Sequence, residues 1–266
     1  MNTLINQQTQ LRKPKTLQVE NPKLVASCCQ FQPHFIYNLA KPPSGGFFVY
    51  KPLEKSSIKV TKSLMNRISQ NLISELEDKR FFVLDNLLSE EDIGLLYQEA
   101  RRRHELKLYE PAKIGRGPNK QREESIRGDW TSWIEENETE LIPIKNYLSI
   151  IDNLTKQINQ VFFAGLKNFE CHFSYYPEGS FYKKHVDQFQ GQTARQLSCI
   201  LYLNLDYQNK DGGELVIYSQ DDSNEELIRI NPLGGRFVCF LTKDLYHEVL
   251  ICNQPRYALT GWVRND

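Results

Sequence analysis

The segment QLSCILYLNL, residues 196–205, carries the alternation that decides the fold. Read as a strand, it puts Ser198, Ile200, Tyr202 and Asn204 on one face and Leu197, Cys199, Leu201 and Leu203 on the other. The second face is uniformly apolar and calls for a covering layer. The first carries a phenol, Tyr202, into an interior. Its neighbours read alike: FECHFSYY (169–176), ELVIY (214–218), LIRI (227–230), RFVCFL (236–241), HEVLI (247–251) and YALTGWV (257–263). All are short, rich in β-branched and aromatic residues, and split by Gly, Pro, Asn or Asp. Seven strands in about a hundred residues predict a sandwich or jelly roll.

The chain before these strands reads as helical. Leu64, Ile68, Leu72 and Leu76 recur every four residues. Phe81–Leu84 reads as a short strand. Ser89 then precedes EEDIGLLYQEARRR, with acids at its start and arginines at its end, as a helix dipole prefers. A strand is expected over 129–135 and a longer helix over 138–163, with Tyr147, Ile151, Leu154, Ile158 and Phe162 in register. These helices should bury their apolar faces on the outside of one sheet. Residues 1–62 lack pattern and are expected to form a poorly structured leader; residues 63–266 form the domain.

Composition narrows the function. Lysine plus arginine and aspartate plus glutamate number 33 each, so no global basic field draws nucleic acid or an anionic membrane. No apolar run reaches the length of a membrane span, and the first twenty residues lack the apolar core of a secretory signal. A cytoplasmic protein without nucleic-acid or membrane partners is expected, acting as a monomer. Of the six cysteines, Cys171, Cys199, Cys239 and Cys252 lie in strand-like runs and read as small buried hydrophobes; Cys28 and Cys29 lie in the leader.

The chemistry centres on YKKHVDQFQG, residues 182–191. On an extended segment His185 and Asp187 point to the same face. An imidazole plus a carboxylate is two thirds of the two-His-one-carboxylate triad that holds non-haem Fe(II) with open positions. For the second histidine, His34 lies in the leader and His104 at the end of a charged helix. His172 reads as a satisfied structural histidine in an apolar strand. His247 is the best candidate. Nine residues beyond it, Arg256 opens a strand on which Arg256, Ala258, Thr260 and Trp262 share a face. An arginine facing an interior requires an anionic partner, and its planar fork suits a carboxylate. A ligand with one carboxylate for Arg256 and a chelating end for a metal fits 2-oxoglutarate. The alternative partner for Arg256 is a structural acid such as Asp244.

The chain resembles the 2-oxoglutarate- and Fe(II)-dependent prolyl 4-hydroxylases, in the group that includes the hypoxia-inducible-factor prolyl hydroxylases and their bacterial relatives. The resemblance covers about residues 80–266 and rests on IRGDWTSWIE (126–135), YYPEGSFYKKHVD (175–187), RQLSCILYLN (195–204), GGEL (212–215), and HEV followed by PRYALTGWV. It implies a mainly β fold, a double-stranded β-helix with helices packed on its major sheet. It implies His185, Asp187 and His247 as iron ligands, and Arg256 and Tyr202 as the grip on the distal carboxylate of 2-oxoglutarate. Tyr176 is implied near the cosubstrate and metal, with Thr260 and Trp262 lining the pocket. The segment 111–126, with Lys113 and Arg116, corresponds to a loop that closes over a peptide substrate, and Asp129 and Arg195 resemble a pair anchoring that loop. Fe(II), 2-oxoglutarate and O2, with ascorbate as reductant, and a proline-containing protein or peptide are the implied cofactors and partner. Rival readings keep the cofactors but change the substrate to another side chain, a methylated nucleobase or a small molecule. Others make the domain a non-catalytic peptide-docking module, or a zinc hydrolase in which Arg256 has no evident task.

Overall fold

The structure, a computed structural model, describes residues 70–115, 121–135, 138, 141–188, 194–219, 224–243 and 245–266. The expected leader, together with Leu64 and Ile68, lies outside the described residues.

Among the described residues three α-helices precede most of the strands: α1 (Gln70–Lys79), α2 (Glu90–Glu105) and α3 (Ile142–Phe162). Ser89 caps α2, its hydroxyl accepting from the Asp92 amide at 3.1 Å. The third helix starts later than the periodicity predicts, at Ile142 rather than 138. The reason is Pro143, which lacks an amide proton and fits only a helix's first turn.

Eleven strands are described: β1 (Phe81–Leu84), β2 (Glu110–Pro111), β3 (Trp130–Trp133), β4 (Asn168–Tyr176), β5 (Tyr182–His185), β6 (Arg195–Tyr202), β7 (Leu215–Tyr218), β8 (Glu226–Ile230), β9 (Phe237–Leu241), β10 (His247–Val249) and β11 (Arg256–Arg264). They form a seven-stranded sheet, β1-β9-β6-β11-β4-β3-β2, and a four-stranded sheet, β5-β10-β7-β8. Every pairing between these strands is antiparallel. This is the double-stranded β-helix, a jelly-roll architecture.

The two faces of β6 divide as the alternation predicts. Leu197, Cys199, Leu201 and Leu203 join Ile93, Leu96, Tyr147, Ile151 and Leu154 of the helices in one core. Ile200 and Tyr202 join Ala258, Leu215, Ile217 and Val249 in a second core between the sheets. Asn204 departs from expectation, because β6 ends at Tyr202. Its amide instead accepts from the Tyr257 N–H at 2.7 Å and donates to the Pro232 carbonyl at 2.7 Å. That clamp fixes the backbone where β11 begins, beside Arg256. None of the described helices is long and apolar enough to cross a membrane.

Candidate active site

The site lies between the sheets. On β5 and β10, His185 and His247 are direct cross-strand partners, their rings 4.2 Å apart. Asp187 follows β5. His185 Nε2 is 3.6 Å from Asp187 Oδ1, and His247 Nε2 is 3.7 Å from Oδ2. All three ligand atoms lie within 4.8 Å of one another. The opposite ring nitrogens are occupied: His185 Nδ1 meets the Lys183 carbonyl at 2.8 Å and His247 Nδ1 meets the Leu245 carbonyl at 3.1 Å. A carbonyl only accepts, so each Nδ1 carries the proton and each Nε2 keeps its lone pair for a metal. Burial, with His185 adding to it and Asp187 opposing, pushes the His247 imidazole down to about 4, so it is neutral near pH 7. Burial works against charge on Asp187, but His247, His185 and a hydrogen bond from Ser198 outweigh it and hold the carboxyl well below its usual range. Two imidazoles and a carboxylate are the donor set that suits Fe(II).

Arg256, at the start of β11, sets a buried guanidinium beside two residues of the core between the sheets. Arg256 is 4% exposed, and its Nε has no hydrogen-bond partner among the described residues. The guanidinium lies 4.7 Å from the Tyr176 ring centre and 4.9 Å from that of Tyr202. The Tyr202 hydroxyl is buried and has no partner within hydrogen-bonding distance among the described residues, with Arg256 as its charged, hydrogen-bond-donating neighbour. Burial raises this phenol and Arg256 opposes the rise, so it remains a neutral donor. A buried guanidinium N–H without a partner among the described residues, beside a buried phenol, fits the carboxylate of 2-oxoglutarate. Gly213, at φ +73°, makes room for this arrangement. A Cβ there would lie 2.9 Å from Arg256 Cδ and 2.8 Å from Cys252 Sγ. Asp244, the alternative partner for Arg256, lies outside the described residues.

The remaining expected site residues divide. Tyr176 is buried opposite Arg256 in the β4–β11 register. Thr260 accepts from Ser174 Oγ at 2.8 Å on the interior face. Trp262 does more than line the pocket: its Nε1–H donates to Asp187 Oδ2 at 3.0 Å. Lys113 is described and exposed, whereas Arg116 lies outside the described residues. The expected Asp129–Arg195 pair does not form. Buried Asp129 instead takes a fork from Arg127, Nε to Oδ1 and Nη2 to Oδ2, each at 2.7 Å. Two residues apart on one extended segment, these two meet more easily than a pair sixty-six residues apart. Arg195 turns to Glu170 at 2.7 Å and lies 3.5 Å over the Trp262 ring. His172 is buried but not satisfied, its Nδ1 lacking a partner among the described residues.

The sequence left three contributors without a role. Arg127 lies 4.1 Å over the Tyr182 ring, and Tyr182 stacks on His185 at 3.6 Å with 16° between the planes. Ser198 hydrogen-bonds Asp187 Oδ2. The signals existed: Arg-x-Asp spacing in IRGD, Tyr182 three residues before His185, and Ser198 on the Tyr202 face. None of them named a partner.

Non-haem oxygenases that open three positions on a facial triad are the class defined by such a fold and site. The sequence pattern of the 2OG-Fe(II) oxygenase superfamily matches residues 171–264. A Pseudomonas putida prolyl-4-hydroxylase is 35% identical, with a TM-score of 0.65, covering 74% of this chain and 98% of its own. A Trichoplax adhaerens prolyl hydroxylase, solved with a hypoxia-inducible-factor oxygen degradation domain peptide, shares the fold at 23% identity and TM-score 0.69, covering 77% of this chain and 92% of its own. Human Egl nine homolog 1 is 29% identical over 185 residues; that match covers 68% of this chain and only 42% of the human protein's length. The chain belongs to the prolyl 4-hydroxylase family of the 2OG-Fe(II) oxygenase superfamily.

Proposed function

We propose that the protein is a peptidyl-proline 4-hydroxylase that consumes O2 and 2-oxoglutarate and releases succinate and CO2. The observation that carries this is a two-His-one-carboxylate cluster in the same fold as a buried Arg256 whose Nε has no hydrogen-bond partner among the described residues. Fe(II), when bound, supplies the redox chemistry that couples oxidative decarboxylation to insertion of an oxygen atom into a C–H bond. His185, Asp187 and His247 hold it. Arg256 and Tyr202 bind the far carboxylate of 2-oxoglutarate and so orient its keto-acid end toward the triad. Tyr176, Ile200, Tyr202 and Ala258 belong to the packed apolar core between the sheets, which excludes water. A zinc hydrolase leaves Arg256 without a task. The Trichoplax relative's peptide complex supports a peptide as substrate.

The test is succinate formation from 2-oxoglutarate with candidate proline-containing peptides, read together with peptide mass. A gain of one oxygen atom on proline is the expected result. Stoichiometric succinate with oxygen on another residue would keep the chemistry and overturn the substrate.

A further inference from the structure

We propose that Ser198 and Trp262 are positioning residues that hold Asp187 as a one-oxygen metal ligand. The inference rests on the iron-site reading and deepens it. Ser198 and Trp262 are register partners on β6 and β11. Both donate to the same atom, Asp187 Oδ2: Ser198 through its hydroxyl and Trp262 through Nε1–H at 3.0 Å. A carboxylate oxygen offers two in-plane lone pairs. Two donors therefore fill Oδ2, while the His185 Nε2 edge faces Oδ1 at 3.6 Å. His247 Nε2, 3.7 Å from Oδ2, carries no proton while Nδ1 binds the Leu245 carbonyl, so it does not compete as a donor. Oδ1 is the oxygen left to ligate.

Coordination number makes this matter. A carboxylate gripping through both oxygens takes one position more than the triad needs. A chelating 2-oxoglutarate and O2 together require three. Tying up Oδ2 keeps those three open.

The two donors are themselves held. Ser198 is 1% exposed in the middle of the seven-stranded sheet. Trp262 carries the Arg195 guanidinium 3.5 Å above its ring, which draws electron density from the indole and strengthens the N–H as a donor. Arg195 is in turn fixed by buried Glu170 at 2.7 Å, and the other oxygen of Glu170 accepts from Arg264 at 3.0 Å. A chain of contacts thus runs Glu170–Arg195–Trp262–Asp187 behind the triad.

The experiment measures Co(II) affinity and the Co(II) ligand-field spectrum of the full chain, without 2-oxoglutarate. Ser198→Ala and Trp262→Phe should each weaken Co(II) by roughly 10–100-fold and shift the spectrum toward higher coordination number. Ser198→Thr keeps the hydroxyl and should retain wild-type values. His247→Ala serves as the control for the triad itself. Loss of Co(II) in His247→Ala, with wild-type affinity and spectrum in Ser198→Ala and Trp262→Phe, would overturn the positioning role and leave the iron site standing. Wild-type Co(II) binding in His247→Ala would overturn the iron site. Should Trp262→Phe fail to fold, Ser198→Ala alone decides.

Discussion

Arg256 is the residue on which the cosubstrate reading turns, and a lysine there separates charge from geometry. Arg256→Lys keeps the cation but loses the fork, and the shorter reach leaves Tyr202 without its neighbour. Affinity for 2-oxoglutarate, measured calorimetrically on Mn(II)-loaded protein, should fall by about 2–3 kcal/mol. Unchanged affinity would return Arg256 to structural service. His172 gives a second prediction at this scale. Burial, assisted by Arg127 and Arg195 and opposed by Asp187, pushes its imidazole down to about 3. The unfolded chain titrates it near 6.5. Between those values only the unfolded state binds the proton, so stability falls as pH drops below about 6.5. His172→Met removes that dependence. The wild type should lose about 2 kcal/mol more than the variant between pH 7 and pH 5, read from urea unfolding. Equal losses would mean that His172 is protonated in the fold. The candidate triad was legible in the i, i+2 spacing of His185 and Asp187, and Arg256 because an apolar strand does not tolerate a guanidinium without a partner. His172 was misjudged for a related reason: burial was legible, but the lack of a partner for Nδ1 depends on what other strands bring near.

At the scale of the element, β11 does the most. Its alternate residues put Tyr257, Leu259 and Val263 under the helices and Arg256, Ala258 and Thr260 toward the cavity. Gly261 lets it lie this close to β4. A Cβ there would be 2.5 Å from the Glu170 carbonyl oxygen and 2.7 Å from Cys171 Cβ, both on a central strand that cannot yield. Gly261→Ala should cost about 1–3 kcal/mol by overpacking, seen as a lowered Tm, and should disturb Trp262 next to it. An unshifted Tm would show that β4 and β11 can separate there. Strand existence and facing were legible from period-two alternation, since residues i and i+2 must share a side. Strand ends were not. Tyr202 closes β6 because Asn204 is recruited by Tyr257 and Pro232. Pro143 marks the start of α3, since proline fits only the first turn of a helix. β5 was seen only as an extended segment, for its few residues pair with β10 across about sixty intervening positions.

For the whole molecule, the consequence of the design is that ligands span the two sheets. The histidines come from the four-stranded sheet, whereas Arg256, Tyr202 and the residues behind Asp187 come from the seven-stranded one. Neither sheet alone assembles the site, so its ligands bind the folded chain and not the unfolded one. Mass action then stabilises the fold by about 2.7 kcal/mol for a ligand at a hundred times its Kd. In a domain of this size each kcal/mol moves Tm by roughly 2–4 °C. Mn(II), redox-silent, should therefore raise Tm by several degrees, and 2-oxoglutarate should raise it further once Mn(II) is present. The two parts separate by mutation. His247→Ala should abolish the Mn(II) shift, because one imidazole and Asp187 no longer close a triad. Arg256→Lys should keep the Mn(II) shift and lose most of the additional one. Scanning calorimetry on the three proteins, with each ligand alone and with both, measures every term. A full 2-oxoglutarate shift in Arg256→Lys would take Arg256 out of the cosubstrate's grip, and an Mn(II) shift surviving in His247→Ala would mean that the metal binds somewhere other than the triad.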